Sequence, residues 1–239
     1  MPFYYYHFDW TYLYLVVPCL LLSLFAQHLV NSNFRRYSQV MSSRRITGAE
    51  AVQIVLRYYG VQAVRVEPIG GHLTDHYDPR TNVVRLSQEV YHSTSVASIG
   101  VACHEAGHAV QYAKGYAPIK LRAAIIPITN IGSKMAMPLI LMGLLFGFLG
   151  RFSGVLVDAG ILCFSLSLIF QLVTLPVEFN ASRRALQAID QAQILTDEER
   201  AGARKTLVAA AMTYVAAVAV SLAQLLRIII LFGNRRDDD

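Results

Sequence analysis

Four apolar blocks are set into an otherwise polar chain, and their spacing predicts most of the architecture. The first runs from about Trp10 to Leu29. About 20 apolar residues are enough to cross the hydrocarbon core of a bilayer. Tyr4, Tyr5, Tyr6, Trp10, Tyr12 and Tyr14 crowd its start, as an interfacial aromatic belt does. A cleaved signal peptide would carry Lys or Arg before the apolar run and small residues at a cleavage point. Here no Lys or Arg precedes the run, and Asp9 does. Residues 1–30 therefore read as an uncleaved anchor. Met135 to Leu149 is a shorter block, ended by Arg151. Val155 to Pro176 and Leu207 to about Phe232 are long enough to span. Residues 135–176 thus read as a transmembrane hairpin and 207–232 as a last transmembrane helix, followed by a short tail at 233–239. Asp158 and Arg227, inside or near the ends of these blocks, read as charges snorkelling toward an interface.

Residues 31–134 are polar enough to face water. Thr47 with Glu50 three residues on predicts a capped helix, with Ala51, Ile54, Val55 and Tyr58 at helical spacing and Gly60 ending it. Ala63 to Val66 reads as a short strand. His72 to Tyr77 and Asn82 to Leu86 read as two strands joined by the turn Asp78-Pro79-Arg80-Thr81. Ser93 to Lys114 has helical periodicity. Between the last two spans, residues 177–206 are polar. There Thr196 and Glu199 form a second capping box, starting a helix that runs on into the final span. The fold class is a mainly α membrane protein with about four transmembrane helices and a small α+β domain.

Composition narrows the class. In 239 residues, 54% are hydrophobic and 15% charged. Disorder, coiled coil, collagen and a disulfide-stapled mini-protein are excluded on that ground. The net charge of +5 suits a membrane protein with basic cytoplasmic loops. No basic run is interleaved with aromatics, so nucleic acid is not an expected partner. Cys19, Cys103 and Cys163 are scattered, with no CxxC, and suggest neither disulfides nor a cysteine zinc site. Arg35, Arg36, Arg44 and Arg45 follow the first span, and Arg183, Arg184, Arg200, Arg204 and Lys205 fall in 177–206. The positive-inside rule places both polar regions in the cytoplasm and both termini outside.

The sharpest chemical signal is His104-Glu105-Ala106-Gly107-His108. Histidines at i and i+4 share one helix face and can reach one ion. Glu105 is turned about 100° from His104, able to take a proton from water without ligating the metal. Two neutral imidazoles suit zinc, expected at one ion per chain. A catalytic zinc needs a third protein ligand and an open position. Glu178 lies just past the third span, on the face to which the charge pattern returns it, and completes a His₂Glu set. Asp158 would instead put the metal inside the bilayer, and His72 and His76 are local alternatives.

His104 to Gln111 (HEAGHAVQ) resembles the active helix of the gluzincin metallopeptidases, and the Glu178 segment resembles the second motif of HtpX-like membrane proteases. Leu73 to Arg80, Val84 to Ser87, Gly115 to Arg122 and Leu175 to Ala185 are similar to the YugP-type family of membrane zinc metallopeptidases. The resemblance covers most of the chain, from about Phe34 to Leu226. It implies a zinc-dependent peptidase with a zincin-like domain, His104, His108 and Glu178 as metal ligands, and Glu105 as base. Ser182 stands where the HtpX pattern has an aspartate, which would orient a zinc histidine. Asp75, Asp78 and Asn180 are candidates for that role. His72, His76, Tyr77, Arg183 and Tyr214 are candidates for stabilising an oxyanion. The 72–87 hairpin either aligns an extended peptide along its edge or simply packs the active helix.

The expected activity is endopeptidase cleavage of protein or peptide substrates, with membrane proteins favoured, at the cytoplasmic face of a bacterial plasma membrane. The alternatives are a site-2-type intramembrane protease using Asp158 and a non-catalytic, zinc-stabilised scaffold or holdase.

Overall fold

The computed structural model describes residues 9–146 and 151–233. The expected belt at Tyr4, Tyr5 and Tyr6, the end of the second apolar block at 147–149 and the tail with Arg235 and Arg236 lie outside the described residues. Helix α1 (Val17–Tyr37) follows a π-helical turn, Tyr12–Val16. Next come α2 (Gly48–Tyr58), β1 (Arg65–Ile69), β2 (His76–Asp78), β3 (Val83–Ser87) and the short α3 (Gln88–Tyr91). The long helices α4 (Val96–Ala113), α5 (Ala117–Leu145), α6 (Arg151–Gln191) and α7 (Asp197–Gly233) complete the fold. Among the described residues, four helical stretches are long and apolar enough to cross a membrane: Tyr12–Tyr37, Ala117–Leu145, Phe152–Gln191 and Asp197–Phe232.

The chain divides into two compact units. One comprises Ala26–Ala124 and Val173–Tyr214. Its core is α4, whose buried residues include Ala102, Cys103, Ala106, Ala109 and Val110. Ser95 caps α4 by accepting from the Ser98 N–H. Helix α2 packs against it through Val52 and Val55, both fully buried. The expected Thr47–Glu50 capping box is present with both reciprocal bonds.

The sheet has the order β1-β3-β2, with β3 central and Val83, Val84 and Leu86 fully buried. β2 and β3 pair antiparallel, as a hairpin requires, while β1 lies parallel to β3. The strands differ from expectation in extent. β1 starts at Arg65 rather than Ala63, because Ala63 has φ +65. β2 starts at His76 rather than His72, because Gly71 (φ +103) and Leu73 (φ +54) turn the chain through left-handed conformations. Asp78 belongs to β2, and its carboxylate closes the turn, accepting from the Arg80 N–H and the Thr81 hydroxyl and pairing with Arg85.

The second apolar helix also begins earlier than expected, at Ala117 rather than Met135. Lys120, Arg122 and Pro127 look like loop punctuation in the sequence but lie within α5. Each proline removes one helical hydrogen bond, which the rest of a 29-residue helix tolerates. Likewise α6 runs through Pro176 without ending, carrying Glu178 on the same helix as the third apolar block.

The other unit comprises Met1–Phe25, Ile125–Leu172 and Val215–Asp239. Here α5 and α6 approach through small residues. A Cβ on Gly160 would stand 3.0 Å from the Ala136 carbonyl oxygen, and one on Gly143 2.9 Å from that of Ser153. Small residues let helix backbones approach in an apolar setting. Polar groups in this unit pair off: Gln171 donates to Ser221 at 2.8 Å, and Arg227 binds Asp9 at 2.7 Å and lies over the Tyr12 ring. Arg227 is thus an ion-paired residue, where the sequence suggested a snorkelling one.

Candidate metal centre

The centre lies wholly within the first unit, on α4 and on the part of α6 after Pro176. Two helices can hold three ligands around one point only if their backbones come close. Gly107 permits this: a Cβ there would lie 2.6 Å from the Ala181 carbonyl oxygen. Ala181 itself is fully buried. On α4, His104 stands three residues before this contact and His108 immediately after it; on α6, Glu178 stands three residues before Ala181.

His104, His108 and Glu178 offer ligand atoms that all lie within 4.8 Å of one another. His104 Nε2 is 3.2 Å from Glu178 Oε2, and His108 Nε2 is 3.6 Å from the same oxygen. Ligands about 2.0–2.1 Å from a tetrahedral zinc stand roughly 3.3 Å apart. The spacing therefore suits a zinc ion between them. Glu178 is buried to 3% exposure, while the imidazoles remain partly accessible.

The far nitrogens decide which way the lone pairs point. The Gln111 Nε2 donates to the Val177 carbonyl at 2.7 Å and to Asn180 Oδ1 at 3.0 Å. A carbonyl only accepts, so the Gln111 amide nitrogen must face it, and its Oε1 turns to His108. His108 Nδ1, 3.0 Å from that oxygen, is then the donor. This leaves the Nε2 lone pair of His108 free for a metal. Ser182 Oγ stands 3.0 Å from His104 Nδ1 and serves His104 in the same way. Gln111 is fully buried and Asn180 nearly so. Arg184 closes the chain by donating to Asn180 Oδ1 at 2.7 Å.

Glu178 is also held from its outer side. Arg122 donates to Oε1 at 3.0 Å, leaving Oε2 to the histidines. The Arg122 Nε is buried with no partner among the described residues. The Tyr214 phenol lies close enough to interact electrostatically with Glu178, Arg122 and Glu105.

Glu105 is partly buried on α4, and no described residue hydrogen-bonds its carboxylate. Burial pushes its pKa up, His108 and His104 pull it down, and the carboxylates of Glu178 and Asp75 push it up again, for a net rise. Burial alone would lower the pKa of His108, but hydrogen bonding to Glu178 and the charges of Glu105 and Glu178 outweigh it, so it rises.

The other candidates lie elsewhere. His72 pairs with Glu89 at 2.6 Å, and His76 contacts the Thr74 carbonyl; both are exposed. Asp158 belongs to the other unit and is not among the three grouped ligands. Asp75 accepts from the Ser87 N–H and hydroxyl, and Asp78 is spent on its turn. Of the groups considered for orienting a histidine, Asn180 acts through Gln111, and Ser182 itself takes His104. Tyr77 donates to Asn82 and packs on Tyr112, and Arg183 points into an exposed groove. Gln111 and Arg122 were not anticipated. The i, i+3 spacing of His108 and Gln111 was the available signal for the first; only the fold brings Arg122 to Glu178.

These arrangements have counterparts in known sequences. A family described as "Putative neutral zinc metallopeptidase" matches residues 12–233. A relative from Bacillus subtilis (strain 168), "Putative membrane protease YugP", is 46% identical over 228 residues, spanning 95% of this chain and 99% of the relative. No solved structure matches this chain. With its whole helical body so matched, the chain belongs to this family of neutral zinc metallopeptidases.

Proposed function

We propose that this protein is a zinc-dependent endopeptidase of the bacterial plasma membrane that hydrolyses protein substrates at the cytoplasmic face. One observation carries the reading: two imidazoles converge on one oxygen of a buried carboxylate, at 3.2 and 3.6 Å, with each imidazole's other nitrogen already occupied. In this reading His104, His108 and Glu178 hold the zinc. Three protein ligands leave one position open, the pattern of a catalytic rather than a structural site. Zinc held there would polarise the scissile carbonyl and lower the pKa of a water to around 7.

Glu105 is the base. Its raised pKa brings proton exchange nearer to neutrality than an exposed carboxylate allows. It accepts a proton as water oxygen adds to the carbonyl carbon, then returns that proton to the amine as the C–N bond breaks. Arg122 keeps Glu178 presenting a single oxygen. The Tyr214 hydroxyl is the oxyanion donor in this reading, since it interacts with the charges of both Glu105 and Glu178. The cytoplasmic assignment rests on the arginines at the end of α1, on Arg183 and Arg184 in the last part of α6, and on Arg200, Arg204 and Lys205 at the start of α7.

The test is cleavage of an unfolded protein by the detergent-purified, zinc-loaded chain beside Glu105→Gln. The variant should keep its zinc and lose about 10²–10⁴-fold in rate. Undiminished cleavage by the variant would remove Glu105 as base. Zinc at one per chain with no cleavage by either protein would favour the scaffold reading.

A further inference from the structure

A groove of about 1240 Å³ runs beside the metal centre, on the outer side of α6. Three helices line it, each with one face. On α7 the lining includes Arg204, Val208 and Met212, at the i, i+4, i+8 spacing of one stripe, with Lys205 beside Arg204. Charge thus gives way to apolar surface along the helix, just where α7 enters its apolar stretch. On α1 the order is mirrored, with Leu29 before Asn33 as that helix leaves its apolar stretch. Arg183 on α6 adds a third cation.

The charges do not cancel within the groove. Its two carboxylates, Asp190 and Asp197, both pair with Arg200. Arg183, Arg204 and Lys205 have no carboxylate partner among the described residues, and all three are exposed. Unpaired cations at one end and apolar side chains at the other complement an amphiphile with an anionic head. The switch falls where helices long enough to span a membrane leave their apolar stretches.

We propose that this groove binds an anionic phospholipid, its phosphate on Arg183, Arg204 and Lys205 and its acyl chains along Leu29, Val208 and Met212. An acidic peptide would satisfy the cations, but it would not call for an apolar stripe that continues the membrane-spanning part of the helix. Ser182 lines the same groove and holds His104, so the lipid contacts the turn of α6 that orients a metal ligand. The proposal does not depend on the hydrolytic reading.

The test uses the full chain in detergent with equal amounts of phosphatidylglycerol and phosphatidylcholine, bound lipid being read by native mass spectrometry. The wild type should retain one phosphatidylglycerol in preference. Arg204→Gln with Lys205→Gln should weaken that retention roughly 30-fold, at about 1 kcal/mol per cation. Arg65→Gln with Arg80→Gln, a control on the sheet and its turn, should not. No preference for the anionic lipid, or equal retention by both double variants, overturns the proposal. So does an acidic peptide whose binding the groove variant loses while lipid retention is unchanged. Should the groove variant not fold, a headgroup-photoreactive phosphatidylglycerol on the wild type decides. Label within 179–190 and 201–212 supports the site, and label confined elsewhere overturns it.

Discussion

The two units solve the same problem, close helix packing with few polar groups, in different ways. In the unit built from Ile125–Leu172 and the chain ends, α5 and α6 meet through Gly143 and Gly160, and polar side chains pair directly, Gln171 with Ser221 and Arg227 with Asp9. In the unit that carries the candidate metal centre, Gly107 makes the same kind of contact against Ala181, but the polar groups form a relay from Arg184 through Asn180 and Gln111 to His108. Isolated pairs stabilise an interface. A relay aims a lone pair. The difference teaches that glycine contact alone does not mark a functional centre; a chain of satisfied buried donors behind a histidine does.

The largest effect should come from filling the two glycine contacts. Gly107→Ala places a Cβ against a backbone oxygen that cannot rotate away, costing about 1–3 kcal/mol and forcing α4 and α6 apart. Zinc affinity, measured with a competing chelator, should fall with stability. Gly160→Ala should cost similar stability but leave zinc affinity unchanged, because its contacts, Ile140 and Ala136, lie in the other unit. Equal loss of zinc in both variants would erase the distinction drawn here.

Cutting the relay should have a smaller effect, confined to the centre. Gln111→Leu frees the His108 ring, and Ser182→Ala frees that of His104. Each should lower zinc affinity about 10–100-fold. The corresponding change at an isolated pair, Gln171→Leu, should leave it alone.

The smallest effect concerns pH. His108 has its pKa raised in the folded, metal-free protein. Its protonation therefore stabilises the apo fold below the ordinary histidine value of about 6.5, and that contribution is lost as pH rises through the higher folded value. Zinc requires the neutral ring, so its affinity should move the opposite way, weakening as pH falls through the same value. Thermal melts of apo and zinc-loaded protein from pH 5.5 to 8.5 should diverge as pH rises. Parallel curves would detach His108 from the metal.

Legibility from sequence followed the range of the interaction. His104, Glu105 and His108 were readable because helix geometry alone places them. Glu178 was readable because the charge pattern returned its segment to the same side and a family resemblance pointed to it. The capping boxes at Thr47 and Thr196 are local and were found. The strand starts were displaced because left-handed backbone at Ala63 and Leu73, neither a glycine, leaves no compositional mark. The start of α5 was hidden because Lys120, Arg122 and Pro127 imitate a loop. Arg122 acquires its role only once α5 lies beside α6, a fact no window along the chain contains.

The amide of Gln111 touches both sides of the cage, binding His108 on its own helix and the carbonyl of Val177, the residue before Glu178. Alignment of the two helices and alignment of the ring are thus one event, complete when the polypeptide packs. An ion held there would enter a cage already formed, with little ordering entropy charged to its capture. Unlike a zinc finger, which collapses only around its metal, this protein should keep its shape when stripped and be reloaded without refolding.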